Sequence, residues 1–181
     1  MRKFSLFILL FLLWLLSGCG YHLSSSSGLS SAVAGKRIAI PVFANKSYRA
    51  NVGSILTESL VDEFARRSGG RVTSEDAADL VLTGTVLTYT TSPVSYTALD
   101  TVKEYRAAIN VEASLAEKGS QKVIWKGTVS WNQDYPANTT FTLQQEGVDP
   151  IALQQNSEDA AIREICKKIA LRLYQNVSTG F

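Results

Sequence analysis

The chain has 181 residues, 45% of them hydrophobic and 19% charged, enough for one ordinary domain and a short additional segment. A formal net charge of only +2 argues against a dedicated nucleic-acid binder, which carries a basic stripe. Two Cys and one His leave almost nothing for a metal cage or a disulfide framework, and 12 Gly with 4 Pro are too few for a fibrous or low-complexity chain.

Arg2 and Lys3 open the chain, residues 4–16 form an apolar run broken only by Ser5, and Leu16-Ser17-Gly18-Cys19 follows. Such a run has the length of a signal-peptide core and falls short of the roughly 20 residues of a membrane-spanning helix. The small residues before Cys19 suit an extended passage through a peptidase cleft, and the tetrad looks like a bacterial lipobox. On that reading residues 1–18 are a signal peptide and the Cys19 thiol takes a diacylglycerol. Removing Arg2 and Lys3 from the 18 basic residues leaves a mature chain whose basic side chains equal its 16 acidic ones. Capture of a polyanion by net charge is then not expected. One acyl chain anchors only marginally, at about 0.8 kcal/mol per buried methylene, so several on Cys19 would supply a stable membrane anchor. Gly20 in place of Asp after the cysteine resembles the sorting signal of enteric lipoproteins that reside in the outer membrane.

Residues 19–35 read as a lipidated N-terminus and a flexible tether, because the Ser, Gly and Ala of 24–35 cannot bury enough surface to offset ordering entropy. Residues 36–181 read as a single domain. Residues 37–43 predict one β-strand. Residues 51–68 predict a helix, with Val52, Ile55, Leu56, Leu60 and Phe64 on one stripe and Gly69-Gly70 as its stop. Strands are predicted over 80–90, 105–115 and 123–131, the last two joined as a hairpin at Lys118-Gly119-Ser120. In the first of these strands Leu80, Leu82 and Val86 share a face, opposite Val81, Thr83, Thr85, Leu87 and Tyr89. Residues 135–156 are polar and irregular, with Pro136 and Pro150 as breakers. Residues 157–175 predict a second helix with Ile162, Ile165, Ile169 and Leu173 inward, and Cys166 beside them as a small buried hydrophobe.

The expected fold is α+β, a two-layer sandwich with four main strands in a mixed sheet and two helices on one face, in the order β-α-β-β-β-α. Its expected core comprises Ile38, Ile40, Leu56, Leu60, Phe64, Leu82, Val86, Ile109, Val111, Trp125, Ile165 and Ile169.

No phosphate-binding Gly loop, zinc-binding His pair, Cys-x-x-Cys or nucleophile elbow occurs. His22 stands three residues beyond Cys19 with no orienting carboxylate nearby in sequence. The acidic residues are spread over helix faces and strand edges and are not gathered as a catalytic pair. No enzyme activity, cofactor or metal is expected. Asn45, Asn138 and Asn176 match the glycosylation pattern by chance, given a bacterial lipobox. Arg163, Lys167, Lys168 and Arg172 make the last helix basic toward its end, as a solvated face complementing the dipole would be.

The block Gly18-Cys19-Gly20-Tyr21-His22-Leu23 resembles the opening of the LptE family of lipopolysaccharide-assembly lipoproteins. Ile38-Ala39-Ile40-Pro41, Phe43-Ala44-Asn45, the stretch from Leu56 to Phe64, the stretch from Ala78 to Val86 and the Ala-rich terminal helix follow in the same order. The resemblance implies a periplasm-facing, lipid-anchored protein of the cell outer membrane, seated as a plug in the β-barrel LptD. It also implies lipopolysaccharide as ligand. Penicillin-binding-protein activators and curli-secretion lipoproteins open on a similar strand, turn and helix, so that second reading stays open. For the ligand, Arg106 and Lys126 on the solvated sheet face, with Lys103 at its edge, are the candidate cations; neighbouring strands are expected to converge two of them on one phosphate. The 92–103 connection adds Pro93, Tyr96 and Leu99 near one edge, where Tyr96 and Leu99 would shelter part of an acyl chain.

Overall fold

The computed structural model describes Val33 and residues 35–69, 71–138 and 149–179. Cys19 and its lipobox, the 24–35 tether apart from Val33 and Gly35, and the middle of the 135–156 stretch lie outside the described residues. The elements are β1 (Ile38–Ala39), β2 (Ala44–Asn45), α1 (Val52–Arg67), a 3-10 turn (Glu75–Ala77), β3 (Leu80–Tyr96), β4 (Val102–Glu117), β5 (Val123–Pro136) and α2 (Pro150–Thr179). The fold is α+β. One mixed sheet runs β1-β3-β4-β5, with β2 also paired to β3. β1 and β2 are parallel to β3, and the long strands β3, β4 and β5 are antiparallel to their neighbours.

Both helices pack on one face of this sheet over a continuous core. Leu56, Leu60 and Phe64 of α1 and Ile162, Ile165, Ile169 and Leu173 of α2 meet Leu82, Val86, Ile109, Val111 and Leu115. Eleven of the twelve expected core residues are buried, and Trp125 is half-buried against the cluster. Cys166 is fully enclosed, and burial pushes its thiol up to about 12, so it is an inert packing group.

The expected single strand over 37–43 is two short strands. Pro41 supplies no N–H to a ladder and interrupts the run. Ile38 pairs with Leu80 and Ala44 with Thr85, so the stretch around Pro41 holds one residue more than its partner. Phe43 sits in this break, almost wholly buried. A Cβ at Gly84 would overlap its ring, and a Cβ at Gly53 would lie 2.5 Å from its carbonyl oxygen. The Phe43 N–H donates to Thr57 Oγ1 at 2.9 Å, and that hydroxyl donates to the Gly53 carbonyl at 2.7 Å.

β3, β4 and β5 are longer than expected. The 92–103 connection is the end of the β3–β4 hairpin, closed by a short turn in which the Thr97 N–H reaches the Thr101 carbonyl and Asp100 takes a positive φ. Tyr89 lies on the helix side of β3, and not with Thr83 and Thr85 as strict alternation predicts. A register shift between Val86 and Thr88 absorbs Leu87 and reverses the facing of the residues that follow, as far as the next shift after Pro93.

α2 starts at Pro150, seven residues before the expected Ser157. Proline ends a helix only from its interior; in the first turn its missing N–H has no partner to lose. Asp149 caps this start, accepting the Ile151 N–H at 2.9 Å. α1 ends as expected, with the Ser68 N–H on the Phe64 carbonyl and Gly69 at φ +68.

Gly84→Ala is expected to destabilise the fold by about 1–3 kcal/mol or more, because the methyl meets Phe43 and the Glu112 carbonyl. A double-mutant cycle with Phe43→Leu, followed by chemical denaturation, should show strong non-additivity. Independent costs would mean that the two residues do not share the contact.

Candidate ligand- and partner-facing surfaces

Alternation along β3, β4 and β5 assembles the face away from the helices into cross-strand rungs. Thr83, Ser114 and Lys126 form one, Thr85, Glu112 and Thr128 the next, then Thr88, Asn110 and Ser130. Thr90, Ala108 and Asn132 follow, and Ser92, Arg106 and Asp134 lie toward the hairpin tip. The face is a sheet of hydroxyl and amide groups with a few charges.

Those charges neutralise one another. Arg106 Nε donates to Asp134 Oδ1 at 2.6 Å and its Nη2 to Oδ2 at 2.8 Å, a bidentate pair on directly opposed residues. The pairing holds the Asp134 carboxyl below the ordinary carboxylate range and raises Arg106. Lys126 Nζ lies 3.3 Å from Glu112 Oε1, one rung away. Directly opposed strand residues stand about 5 Å apart, so opposite charges placed there close on each other.

This geometry corrects the expected convergence of cations. Arg106 faces Asp134 whereas Lys126 faces Ser114, and those rungs are eight residues apart, roughly 26 Å along the sheet. Lys103 lies at a register shift near the hairpin tip, between the Ser95–Glu104 and Tyr96–Val102 pairs. No two of the three meet at one phosphate. Tyr96 and Leu99 are exposed near the tip, as the candidate shelter for an acyl chain requires.

A second polar cluster, not anticipated from the sequence, ties α2 to the sheet. Tyr89 donates its hydroxyl to Glu158 Oε1 at 2.6 Å, and Arg49 Nη2 donates to Asp159 Oδ1 at 2.7 Å. Arg49 Nε is 3.7 Å from Glu158, and the Tyr48 ring packs edge-on against Tyr89. Burial, then the bond to Glu158, pushes the Tyr89 phenol far above its ordinary value, so it stays a donor. The bulge that turns Tyr89 inward creates this contact and leaves no mark in the residue pattern.

On the helix layer some charges pair, among them Glu63 with Arg66 and Arg67, and others do not. Among the described residues no carboxylate lies within ion-pair distance of Arg163, Lys168 or Arg172, whereas Lys167 meets Glu164 at 2.6 Å. Among the described residues, two of the three candidate cations of the sheet, Arg106 and Lys126, are occupied, whereas Lys103 and, on α2, Arg163, Lys168 and Arg172 are not.

Among the described residues no helix is long and apolar enough to cross a membrane, and no group of three or more His, Cys, Asp or Glu could hold a metal ion. A family model described as LptE, lipopolysaccharide-assembly, matches residues 35–177. No curated protein sequence matches the chain. Among solved structures, uncharacterized lipoprotein B from Nitrosomonas europaea is similar over 88% of this chain and 90% of its own, at 12% identity and a TM-score of 0.53. Rare lipoprotein B from Shewanella oneidensis is 20% identical over 76% of this chain and 93% of its own, at a TM-score of 0.49. The Nitrosomonas likeness shows a shared fold.

Asp79, Glu117 and Asp134 are each held below the ordinary carboxylate range. Asp79 is lowered by the Arg37 backbone N–H and guanidinium, Glu117 by Lys36 and Ser120, and Asp134 by Arg106. A depressed folded value means their stabilisation is complete above about pH 5 and is lost as pH falls through those values, below about pH 4. The melting temperature is therefore expected to be level near neutral pH and to drop in that acid window. Asp134→Asn should remove part of the drop, which a series of thermal melts would measure.

Proposed function

The chain belongs to the LptE family of lipopolysaccharide-assembly proteins, and from that premise we propose that it is a lipid-anchored outer-membrane protein that plugs the barrel LptD and assists lipopolysaccharide delivery. The observation that carries the plug reading is the self-neutralised outer sheet face. The interior wall of a large outer-membrane barrel is polar. A face of Thr, Ser and Asn, with Arg106–Asp134 and Lys126–Glu112 already paired, can lie against such a wall without burying an unpaired charge. A solvated domain needs no such compensation, because water screens isolated surface charges.

In this reading residues 1–18 are removed, Cys19 carries the acyl chains, residues 19–35 are the tether and residues 36–181 are the plug domain. The role is one of recognition and positioning, with no reaction catalysed.

Two measurements test it. A tagged full-length chain extracted from membranes in mild detergent is expected to bring down a large barrel protein in one-to-one ratio, and deletion of residues 24–31 should spare that association. Recovery of the folded chain without a barrel would overturn the plug. Cys19→Ala should leave an unprocessed precursor of higher mass; a variant with unchanged mass and fractionation would overturn the anchor.

A further inference from the structure

α1 and α2 run side by side and in the same direction, since Arg49, just before α1, meets Asp159 and Arg67 at its end meets Tyr174. Between them lies an open groove of about 700 Å³. Its walls differ in charge. On the α1 side Glu58 and Asp62 stand one helical turn apart with Ser59 between them, beside Glu63 and Arg66, which pair with each other and leave this wall net acidic; Arg163 and Lys167 stand one turn apart on α2. Ile55 and Ala65 supply apolar lining.

The opposed walls do not close on each other. Among the described residues no ion pair crosses the groove: Lys167 pairs with Glu164 on its own helix, and the deeply set Glu63 is held by Arg66 and Arg67 of α1. The helices are pinned beneath and at both ends, by Arg49–Asp159, by the edge-on contact of Phe64 with Tyr174, and by the Tyr174 hydroxyl on the Arg67 carbonyl. The walls are thus held at a separation that protein contacts set, and Glu58, Asp62 and Arg163 keep their hydrogen-bonding capacity free.

We propose that this groove binds the phosphorylated saccharide headgroup of a glycolipid, with phosphate on the Arg163–Lys167 wall and sugar hydroxyls on the Glu58–Asp62 wall. Guanidinium and ammonium groups form charge-assisted bonds to phosphate oxygens, while a carboxylate accepts from hydroxyl donors. A phosphate alone would use one wall and be repelled by the other. A flat anionic lipid surface would meet the same repulsion. A ligand carrying both groups uses the whole groove, whose volume lies within the range of small-molecule sites, about 300–1,000 Å³. The exposed Lys167–Glu164 pair is weak and can exchange its carboxylate for phosphate. The inference rests on the lipopolysaccharide reading and moves its headgroup site from the sheet, where Arg106 and Lys126 are already paired, to the helices.

The test measures affinity of the full-length protein, in detergent, for lipopolysaccharide lacking its O-chain, for the same glycolipid after chemical dephosphorylation, and for phosphatidylglycerol vesicles. The variants are Arg163→Gln with Lys167→Gln, Glu58→Gln with Asp62→Asn, and, as a sheet control, Arg106→Gln with Lys126→Gln. All six positions are exposed, and circular dichroism with thermal melts confirms folding. Loss of the cationic pair should weaken lipopolysaccharide binding about tenfold and leave binding of the dephosphorylated glycolipid unchanged. Loss of the acidic pair should weaken both about tenfold, and the sheet control should have little effect. Unchanged affinity in both folded groove variants, or a loss seen equally on phosphatidylglycerol vesicles, would overturn the groove. If the chain carries the barrel and the groove variants still bind lipopolysaccharide fully, only the groove falls. If the wild-type chain neither binds lipopolysaccharide nor carries a barrel, the functional reading falls and the groove with it.

Discussion

Phe43 is the point at which three separate parts of the chain are locked together. Its ring occupies the space that Gly84 leaves on β3, its carbonyl lies against Gly53 at the start of α1, and its N–H is satisfied by Thr57 one turn along. The short strands β1 and β2 contribute only two ladder pairs each, too few to hold the parallel edge by hydrogen bonding alone. The buried ring supplies the missing attachment, and the two glycines set how closely the helix and sheet approach. The position of α1, and with it one wall of the groove, follows from this contact.

The two faces of the domain treat charge differently for a geometric reason. Across antiparallel strands, opposed residues are neighbours by construction, so Arg106 finds Asp134 with both donors aligned. Between two helices the distance is set by what is packed underneath. Phe64 against Tyr174 and Arg49 against Asp159 keep the helices apart enough that Asp62 and Arg163 line one groove without bonding to each other. The same composition of acids and bases therefore yields a closed, neutral sheet face and an open, two-toned helix face.

Bulges decide which residues can join these faces. The shift after Val86 turns Tyr89 inward, where its hydroxyl reaches Glu158, and so fixes the first half of α2 against the sheet. The irregular rungs near Pro93 and Ser95 leave the hairpin tip outside the packed core, with Tyr96 and Leu99 exposed. A register change of one residue thus separates the interior polar knot from the solvated hairpin.

Periodicity alone determined the two helices, the β4 and β5 faces and nearly all of the core, because Leu60, Ile109 and Ile165 each sit in a run whose spacing admits one buried face. The order of those elements, with one solvated side to the sheet, was enough for the α+β architecture. Only the tertiary structure decided where Pro41 splits a strand, where Pro150 starts a helix, and how Leu87 reverses a face: strand pairing sets the first and the last, and Asn138, just beyond β5, bonds to Leu153 and Ser157 in the early turns of α2. It likewise decided which cations are available. Arg106 and Lys126 look equivalent to Arg163 in a sequence, and they differ because sheet register places a carboxylate directly opposite the first and one rung from the second, while helix packing withholds one from the third.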